Sequence, residues 1–452
     1  MRERPSTGDP TALEDPQGPG SALGSKCPAI GPPGVEISSL IDFRLLLEDY
    51  ILSKAREHLI LEDQKLVVAG VATLIPPTMV FRQSIVCFIT FTYFLHLTEP
   101  SDLNQDTLLQ DNTLTTSNTL ISSSGLFTLS FFQFDSSQDF YLGIRLTSQN
   151  SSSSYYWVAN RDKPIQDPAS FLTIDQYGNL KIISNKGNST IMLYYAEPTS
   201  NNNSAISAIL QDTGNFVLRE MNPDGSVKRE LWKSFDYPAD TLIPGMKLGF
   251  DRKTGLNWSL TSWRSDMSPM SGSFSLGIDP KTNQLVMWWR GKIVWSSGQW
   301  NSNGNNFGNL KSSIFQDDFS FKYYSDGNET YIKYASIYGW IVLGSLGTII
   351  GSSGNSYSCV DHDKCFLSGC SMPNPPECRD HDNLYLGSKG SYGVMSRKGY
   401  KFDERENLTN FDCWMKCLNN CSCEAYSYVN HDATGCEIWS KGTANFLATI
   451  IL

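Results

Sequence analysis

The chain has 452 residues, room for about three domains. It carries 36 Lys and Arg against 46 Asp and Glu, a formal charge of −10 spread along its length, which excludes a basic surface of the kind that tracks nucleic-acid phosphates. Only 18 % of residues are charged while Gly, Ser, Asn and aromatic residues abound, a composition that suits twisted β domains with many turns.

Residues 1–78 begin rich in Pro and Gly, then place apolar residues at helical spacing over Leu40–Val68, which predicts a helix. Met79-Val-Phe-Arg82 opens a stretch that runs through Ile85–Leu95. One basic residue before a short apolar core has the form of a secretory signal, and the core is too short for a comfortable membrane span. Residues 79–101 are therefore read as signal peptide-like, with cleavage near Glu99–Asp102, and 1–78 as an unassigned extension outside the mature protein. The competing reading starts the protein at Met1 and makes the apolar stretch a signal anchor.

The strand signals begin at Asp106-Thr-Leu108 and continue through Leu120-Ile-Ser122, Phe127–Phe132, Tyr141–Ile144 and Tyr156-Trp-Val-Ala-Asn-Arg-Asp162. These runs are short, rich in β-branched and aromatic residues and separated by polar turns, the pattern of antiparallel strands. Leu231-Trp232 reads as the end of a buried strand, and Phe235–Lys247, with Pro238, Pro244, Gly245, Asp236 and Asp240, as a loop of nearly fixed path. A second β stretch follows at Leu260–Arg264, Gly272–Gly277, Gln284–Trp289 and Ile293–Trp300. Its tryptophans (Trp263, Trp288, Trp289, Trp295, Trp300) could serve as sugar-stacking platforms, but strand-borne Trp packs inward more often, and core anchors are expected. Ile337–Ile350 is apolar and contains Gly344 and Gly347, with Gly351 just beyond it. It lacks the Lys-Ser/Thr of a phosphate loop and is too short to span a membrane, so a buried hairpin at the edge of the second β domain is predicted.

Cys27 and Cys87 stand alone, while Cys359, Cys365, Cys370, Cys378, Cys413, Cys417, Cys421, Cys423 and Cys436 crowd the C-terminal part. That spacing reads as a disulfide framework made in an oxidising compartment, with one cysteine of the nine left free, paired between chains or without its partner. A zinc site is the weaker reading, because Cys413-x3-Cys417-x3-Cys421-x-Cys423 has no paired C-x-x-C knuckles. Seven glycosylation sequons, at Asn150, Asn188, Asn202, Asn257, Asn328, Asn407 and Asn420, all lie beyond the signal-like segment and agree with secretion. His362 and His381 each sit between two aspartates, His431 precedes another, and His58 and His96 precede the mature region. A solvated charged loop explains the Asp-His-Asp pattern better than a metal site does, and no metal is expected.

In this order the segments DTL, LIS, GLFTLSFF, YLGI, WVANRD, LTIDQYGNLKI and LQDTGNFVL resemble the bulb-type lectin domain of plant S-domain receptor-like kinases. Phe235–Lys247 resembles their S-locus glycoprotein signature. The resemblance implies a mainly β protein: two tandem lectin-like β-prisms, over 102–222 and 223–355, each of three small sheets about a pseudo-threefold axis. Cys359, Cys365, Cys370 and Cys378, within 356–385, look like an eroded EGF-like insert. Residues 386–452 resemble a truncated, disulfide-rich α+β PAN/apple domain through Gly399–Asp403, Asn407–Tyr426 and Gly435–Trp439. There Thr409 and Asp412 form a capping-box-like helix start, and Cys413 and Cys417 share one helix face from which they can be tied to the surrounding sheet.

Bulb-type lectins bind mannose through Gln-x-Asp-x-Asn-x-Val-x-Tyr. Strand alternation sets the polar ends on one face to fork onto sugar hydroxyls, and Val contacts the ring. The copy Asp175-x-Tyr177-x-Asn179-x-Lys181-x-Ile183 keeps only Asn179. The copy Gln211-x-Thr213-x-Asn215-x-Val217-x-Arg219 keeps Gln211, Asn215 and Val217. An incomplete set leaves stripped hydroxyls unpaired, so the first is expected to be dead and the second weak or altered. Gly178-Asn179 and Gly214-Asn215 also suit tight turns, and turn geometry is the preferred role for them.

The resemblance further implies a recognition module, secreted or on the outer face of the plasma membrane. Its ligand would be a glycan or a small secreted peptide, with a role in signalling or pollen recognition. Homo- or hetero-dimerisation with full-length receptor kinases would run through the PAN region. Relatives continue into a transmembrane helix and a kinase, but no Gly-rich loop with V-A-I-K, H-R-D or D-F-G occurs here. No catalytic residue, cofactor or nucleic-acid partner is expected. The alternative is a truncated, non-binding remnant of a receptor kinase gene.

Overall fold

A computed structural model of the chain describes residues 105–134, 137–148, 155–184, 189–197, 205–303, 306–309, 321–335, 339–352, 356–359, 369–379, 387–388 and 399–442. The helix expected over Leu40–Val68, the signal-like segment, Cys27, Cys87 and Cys365 lie outside them, as do four of the histidines and the sequons at Asn150, Asn188 and Asn202.

Three strands of three residues each come in succession, Thr107–Leu109, Thr113–Thr115 and Thr119–Ile121. Each begins with Thr-Leu and each starts a different four-stranded antiparallel sheet. The first pairs with Ala205–Leu210, which continues to Phe216–Met221 and Val227–Lys233. The second pairs with Phe171–Ile174, which continues to Leu180–Ser184 and Ser189–Tyr194. The third pairs with Phe127–Phe132, which continues to Tyr141–Leu146 and Tyr155–Val158. The three sheets turn one face each onto a shared core. Leu108, Leu114 and Leu120 reach it at 4, 3 and 6 % exposure beside the fully buried Leu129, Leu142, Leu172, Leu180 and Leu210. Period-two alternation is cleanest in Leu180–Ser184, where Leu180 and Ile182 are buried and Lys181 and Ile183 are not.

A second prism repeats the arrangement. Thr241–Leu242 pairs with the hairpin Ile341–Leu343 and Ile349–Gly351. Lys247–Asp251 pairs with Glu329–Tyr334, and Leu260–Ser265 with Ser268–Ile278. The apolar Gly-containing stretch is thus a buried hairpin, but it forms the central pair of its sheet rather than an edge, with Ser356–Tyr357 outside it. Gly249, at φ 150, marks the closest backbone approach: a Cβ there would lie 2.1 Å from the Thr330 carbonyl. Trp263 and Trp295 are buried anchors, while Trp288, Trp289 and Trp300 are half-buried.

The third unit is small and α+β. Its strands Gly387–Ser388, Cys423–Ser427, Glu437–Ser440 and Tyr400–Lys401 form one sheet, against which the helix Asn410–Leu418 packs. The chain is mainly β, two prisms followed by a disulfide-rich domain. Among the described residues no helix is long and apolar enough to cross a membrane.

Candidate functional site

The first sugar-motif position is a turn closed on itself. Asp175 accepts from the backbone N–H groups of Tyr177 and Asn179 and from the Asn179 carboxamide at 3.0 and 3.2 Å. Lys181 adds a 2.8 Å ion pair, and the Asn179 side-chain oxygen Oδ1 accepts from the Ala196 N–H at 2.8 Å. Burial alone would raise the Asp175 carboxyl, but the Lys181 ammonium, the Asn179 carboxamide and the backbone donors outweigh it and hold it below the usual range. Both ends of the Asn179 side chain are therefore occupied by the turn. Tyr177, 71 % exposed, stands free above it.

The second position is closed in a similar way. The Gln211 N–H donates to the Asn215 carbonyl, and the Gly214 N–H to the Gln211 carbonyl. Gly214 adopts φ +82, where a Cβ would also meet the Tyr156 hydroxyl at 2.4 Å; that hydroxyl donates to the Gly214 carbonyl. The Asn215 side-chain oxygen Oδ1 accepts from the Ser234 hydroxyl at 3.1 Å and the Phe235 N–H at 3.2 Å, tying the turn to the chain that leaves the first prism. Val217 is 1 % exposed and offers no surface to a ring. Gln211 is partly exposed, with its side-chain oxygen 3.5 Å from the Thr213 hydroxyl. In the third sheet the corresponding connection, between Phe127–Phe132 and Tyr141–Leu146, is longer and lacks a Gly-Asn pair.

Two of the motifs that carried the family resemblance, WVANRD and Phe235–Lys247, meet at a joint between the prisms. In WVANRD, the Trp157 indole donates to the Tyr237 carbonyl at 2.9 Å. Asn160 donates to the Phe140 and Lys163 carbonyls and accepts from the Leu142 N–H, fixing the bend. Arg161 donates from all three guanidinium nitrogens to the carbonyls of Pro269, Thr261 and Ser262, and Asp162 accepts from Ser271. These bonds seat the first prism on the second. Asp240, from the fixed loop, is buried nearby; desolvation pushes its carboxyl up to about 7 despite the opposing charge of Arg161.

A second joint holds the C-terminal unit. Thr409 caps the helix and exchanges bonds with Asp412 as the sequence predicts. Asp412 also accepts from the Trp289 indole at 2.8 Å and from Arg290 at 2.8 and 2.6 Å. Burial would raise its carboxyl, but the Arg290, Thr409 and Trp289 donors outweigh it and depress it. Phe411 packs edge-on against Phe274 and Trp289. Sequence spacing gave no sign of these cross-domain partners.

Eight of the nine clustered cysteines form four disulfides: Cys359–Cys370, Cys378–Cys421, Cys413–Cys436 and Cys417–Cys423. The helix thiols are thereby tied to the start of one neighbouring strand and to the residue just before the other, and Cys378 ties the linker to the turn that follows the helix. The linker itself lies along Lys292–Ser296, through the Ser296–Gly369 and Ser371–Val294 backbone bonds. Among the described residues no three His, Cys, Asp or Glu side chains gather as a metal site. The four described sequon asparagines, Asn257, Asn328, Asn407 and Asn420, are all exposed.

Comparison with known proteins agrees with this architecture. The D-mannose binding lectin family matches residues 154–264, from the Tyr155–Val158 strand through the rest of the first prism and into the second, and the PAN-like domain family matches 396–446. The G-type lectin S-receptor-like serine/threonine-protein kinase CES101 of Arabidopsis thaliana is 36 % identical over 409 residues, covering 79 % of this chain and 46 % of that protein. The chain thus spans less than half the length of this receptor kinase. The S-locus-specific glycoprotein BS29-2 of Brassica oleracea var. alboglabra is 30 % identical over 363 residues, covering 69 % of this chain and 81 % of that protein. The S-locus-specific glycoprotein S6 of Brassica oleracea is 28 % identical, with 81 % of it covered. With two lectin-like prisms, a PAN-like domain and this extent of shared sequence, the chain belongs to the family of S-locus glycoproteins and S-receptor-like kinase ectodomains.

Proposed function

We propose that this recognition module takes a peptide or protein ligand and that its prisms act as scaffolds rather than as mannose sites. The observation that carries this is the internal use of the sugar-motif side chains. The Asn179 carboxamide is bonded at both ends, the Asn215 oxygen is clamped by Ser234 and Phe235, and Val217 is buried. A sugar hydroxyl entering either turn would have to displace bonds that hold the turn together, and a displaced buried partner costs about 1–3 kcal/mol. The wider role follows from the family: ligand capture outside the cell, signalling or pollen recognition, and pairing with full-length receptor kinases through the PAN-like domain.

The second reading, a residual mannose site at the mouth of the Gln211 turn, is favoured by the partly exposed Gln211 beside Thr213. A mannose-oligosaccharide titration of the secreted protein, beside Gln211→Ala, separates the two. No saturable binding by well-folded wild type is expected. Saturable binding abolished by Gln211→Ala would overturn the scaffold reading.

A further inference from the structure

We infer that Asn420 can be glycosylated only before the disulfides around it close, so that glycan transfer and disulfide formation compete for the same segment. The sequon Asn420-Cys421-Ser422 lies wholly inside the loop closed by Cys417–Cys423, six residues apart in sequence. Its middle residue, Cys421, is bridged to Cys378. The enclosed backbone is a tight turn. The Asn420 N–H donates to the Cys417 carbonyl, the Cys423 N–H to the Asn420 carbonyl at 2.7 Å, and the Ser422 N–H to the Asn420 side-chain oxygen at 3.1 Å. Arg379, next to Cys378, clamps the same turn by donating to the carbonyls of Cys417, Leu418, Asn420 and Cys423. An enzyme that must draw three consecutive residues out against its own surface cannot do so while two cross-links and a guanidinium hold them folded.

The other described sequons contain no cysteine and sit in no tight disulfide loop. Asn257 and Asn328 lie on the second prism among strands without cysteine, and Asn407-Leu408-Thr409 is held by the Arg290 bond to the Asn407 carbonyl and by the Thr409 helix cap. Asn420 is exposed in the folded protein, so a glycan attached earlier is accommodated. In the transfer step the Asn420 carboxamide nitrogen bonds to the anomeric carbon of a polyprenyl-pyrophosphate-linked oligosaccharide. The carbon–oxygen bond to the pyrophosphate breaks, the lipid pyrophosphate leaves, and one amide proton passes to a base. In the closing step the Cys378 and Cys421 thiols give two protons and two electrons to the disulfide of an oxidoreductase, which departs as a dithiol. Closure first excludes transfer, whereas transfer first leaves closure open.

The inference rests on secretion of the chain. Its test is glycopeptide mass spectrometry at Asn257, Asn328, Asn407 and Asn420 after expression of the full chain in a eukaryotic secretory host. Wild type is compared with Cys378→Ser, Cys423→Ser and the double variant, all of which leave the sequon intact. Total cell-associated protein is sampled, so a variant that fails to fold still reports. Asn420 is expected to be less occupied than Asn407 in wild type, to rise in each single variant, and to match Asn407 in the double variant. Equal occupancy of Asn420 and Asn407 in wild type, or no rise in the variants, would overturn the inference while leaving secretion intact. Absence of glycan at all four sites would overturn both.

Discussion

Asp412 and Asp240 are both buried carboxyls, yet their environments push them in opposite directions. Asp412 gains donors from two domains, so its folded-state value lies below the unfolded reference of about 3.9. Its stabilisation is present above that reference and is lost as pH falls through the depressed folded value. Asp412→Asn should therefore cost about 1–3 kcal/mol near neutrality, with the gap to wild type narrowing below about pH 4, as read by denaturant unfolding across pH. For Asp240 the sign reverses. A carboxyl raised to about 7 contributes most below the unfolded value and loses that contribution as pH climbs through 7. Asp240→Asn should gain on wild type between pH 5 and pH 8, and a constant difference in thermal midpoint across that range would refute the assignment. The sequence revealed half of this. The Thr409–Asp412 cap is local and spacing reveals it, whereas Trp289 and Arg290 reach Asp412 from more than 120 residues away. Asp240 was legible only as a loop residue, because its burial depends on how two prisms meet.

At the level of elements, strand positions were readable because β-branched and aromatic runs bounded by turns have few other uses. Phe127–Phe132 and Leu260–Arg264 fall within a residue of observed strands. The repeat at the start of the first prism is harder to read. Asp106-Thr-Leu, Asn112-Thr-Leu and Asn118-Thr-Leu recur every six residues and send one edge strand to each sheet. A three-residue strand is too short to register as a period, and only the triple occurrence carries the signal. Because each of these leucines is buried in the common core, Leu114→Ala should cost about 2–5 kcal/mol. Replacing the exposed Thr113 in the same strand by Ala should cost far less, a contrast that urea denaturation measures. The sugar-motif turns show the opposite limit. Residue identity shows that Gly178-Asn179 and Gly214-Asn215 suit turns, but only the fold reveals which atoms hold each asparagine.

Across the whole molecule, polar bonds from Trp157, Arg161 and Asp162 to backbone and serine groups join the first prism to the second, beside a buried apolar core that is continuous from one prism to the other. Aromatic contact adds to them where Phe134 meets Trp263. Arg161 is half-buried; burial lowers its tendency to hold a proton, the Asp240 and Asp162 charges oppose that, and three carbonyl acceptors satisfy its guanidinium. Arg161→Ala is expected to uncouple the prisms. Scanning calorimetry should show a single transition in wild type resolve into two, and proteolysis should move to the Phe235–Lys247 connection. A single unshifted transition would mean that the prisms cohere without it.

The order of strand pairing sets a timetable for synthesis. Thr119–Ile121 finds its partner a few residues later, Thr113–Thr115 must wait for Phe171–Ile174, and Thr107–Leu109 waits for Ala205–Leu210. The sheets nest like brackets, and the second prism nests the same way. On a ribosome adding about 5–20 residues per second, the first strand made stays unpaired for roughly 5–20 s. The segment that emerges first is the last to be stapled, so each prism closes from the inside outward and leaves its earliest edge open to foreign strands until its final hairpin arrives.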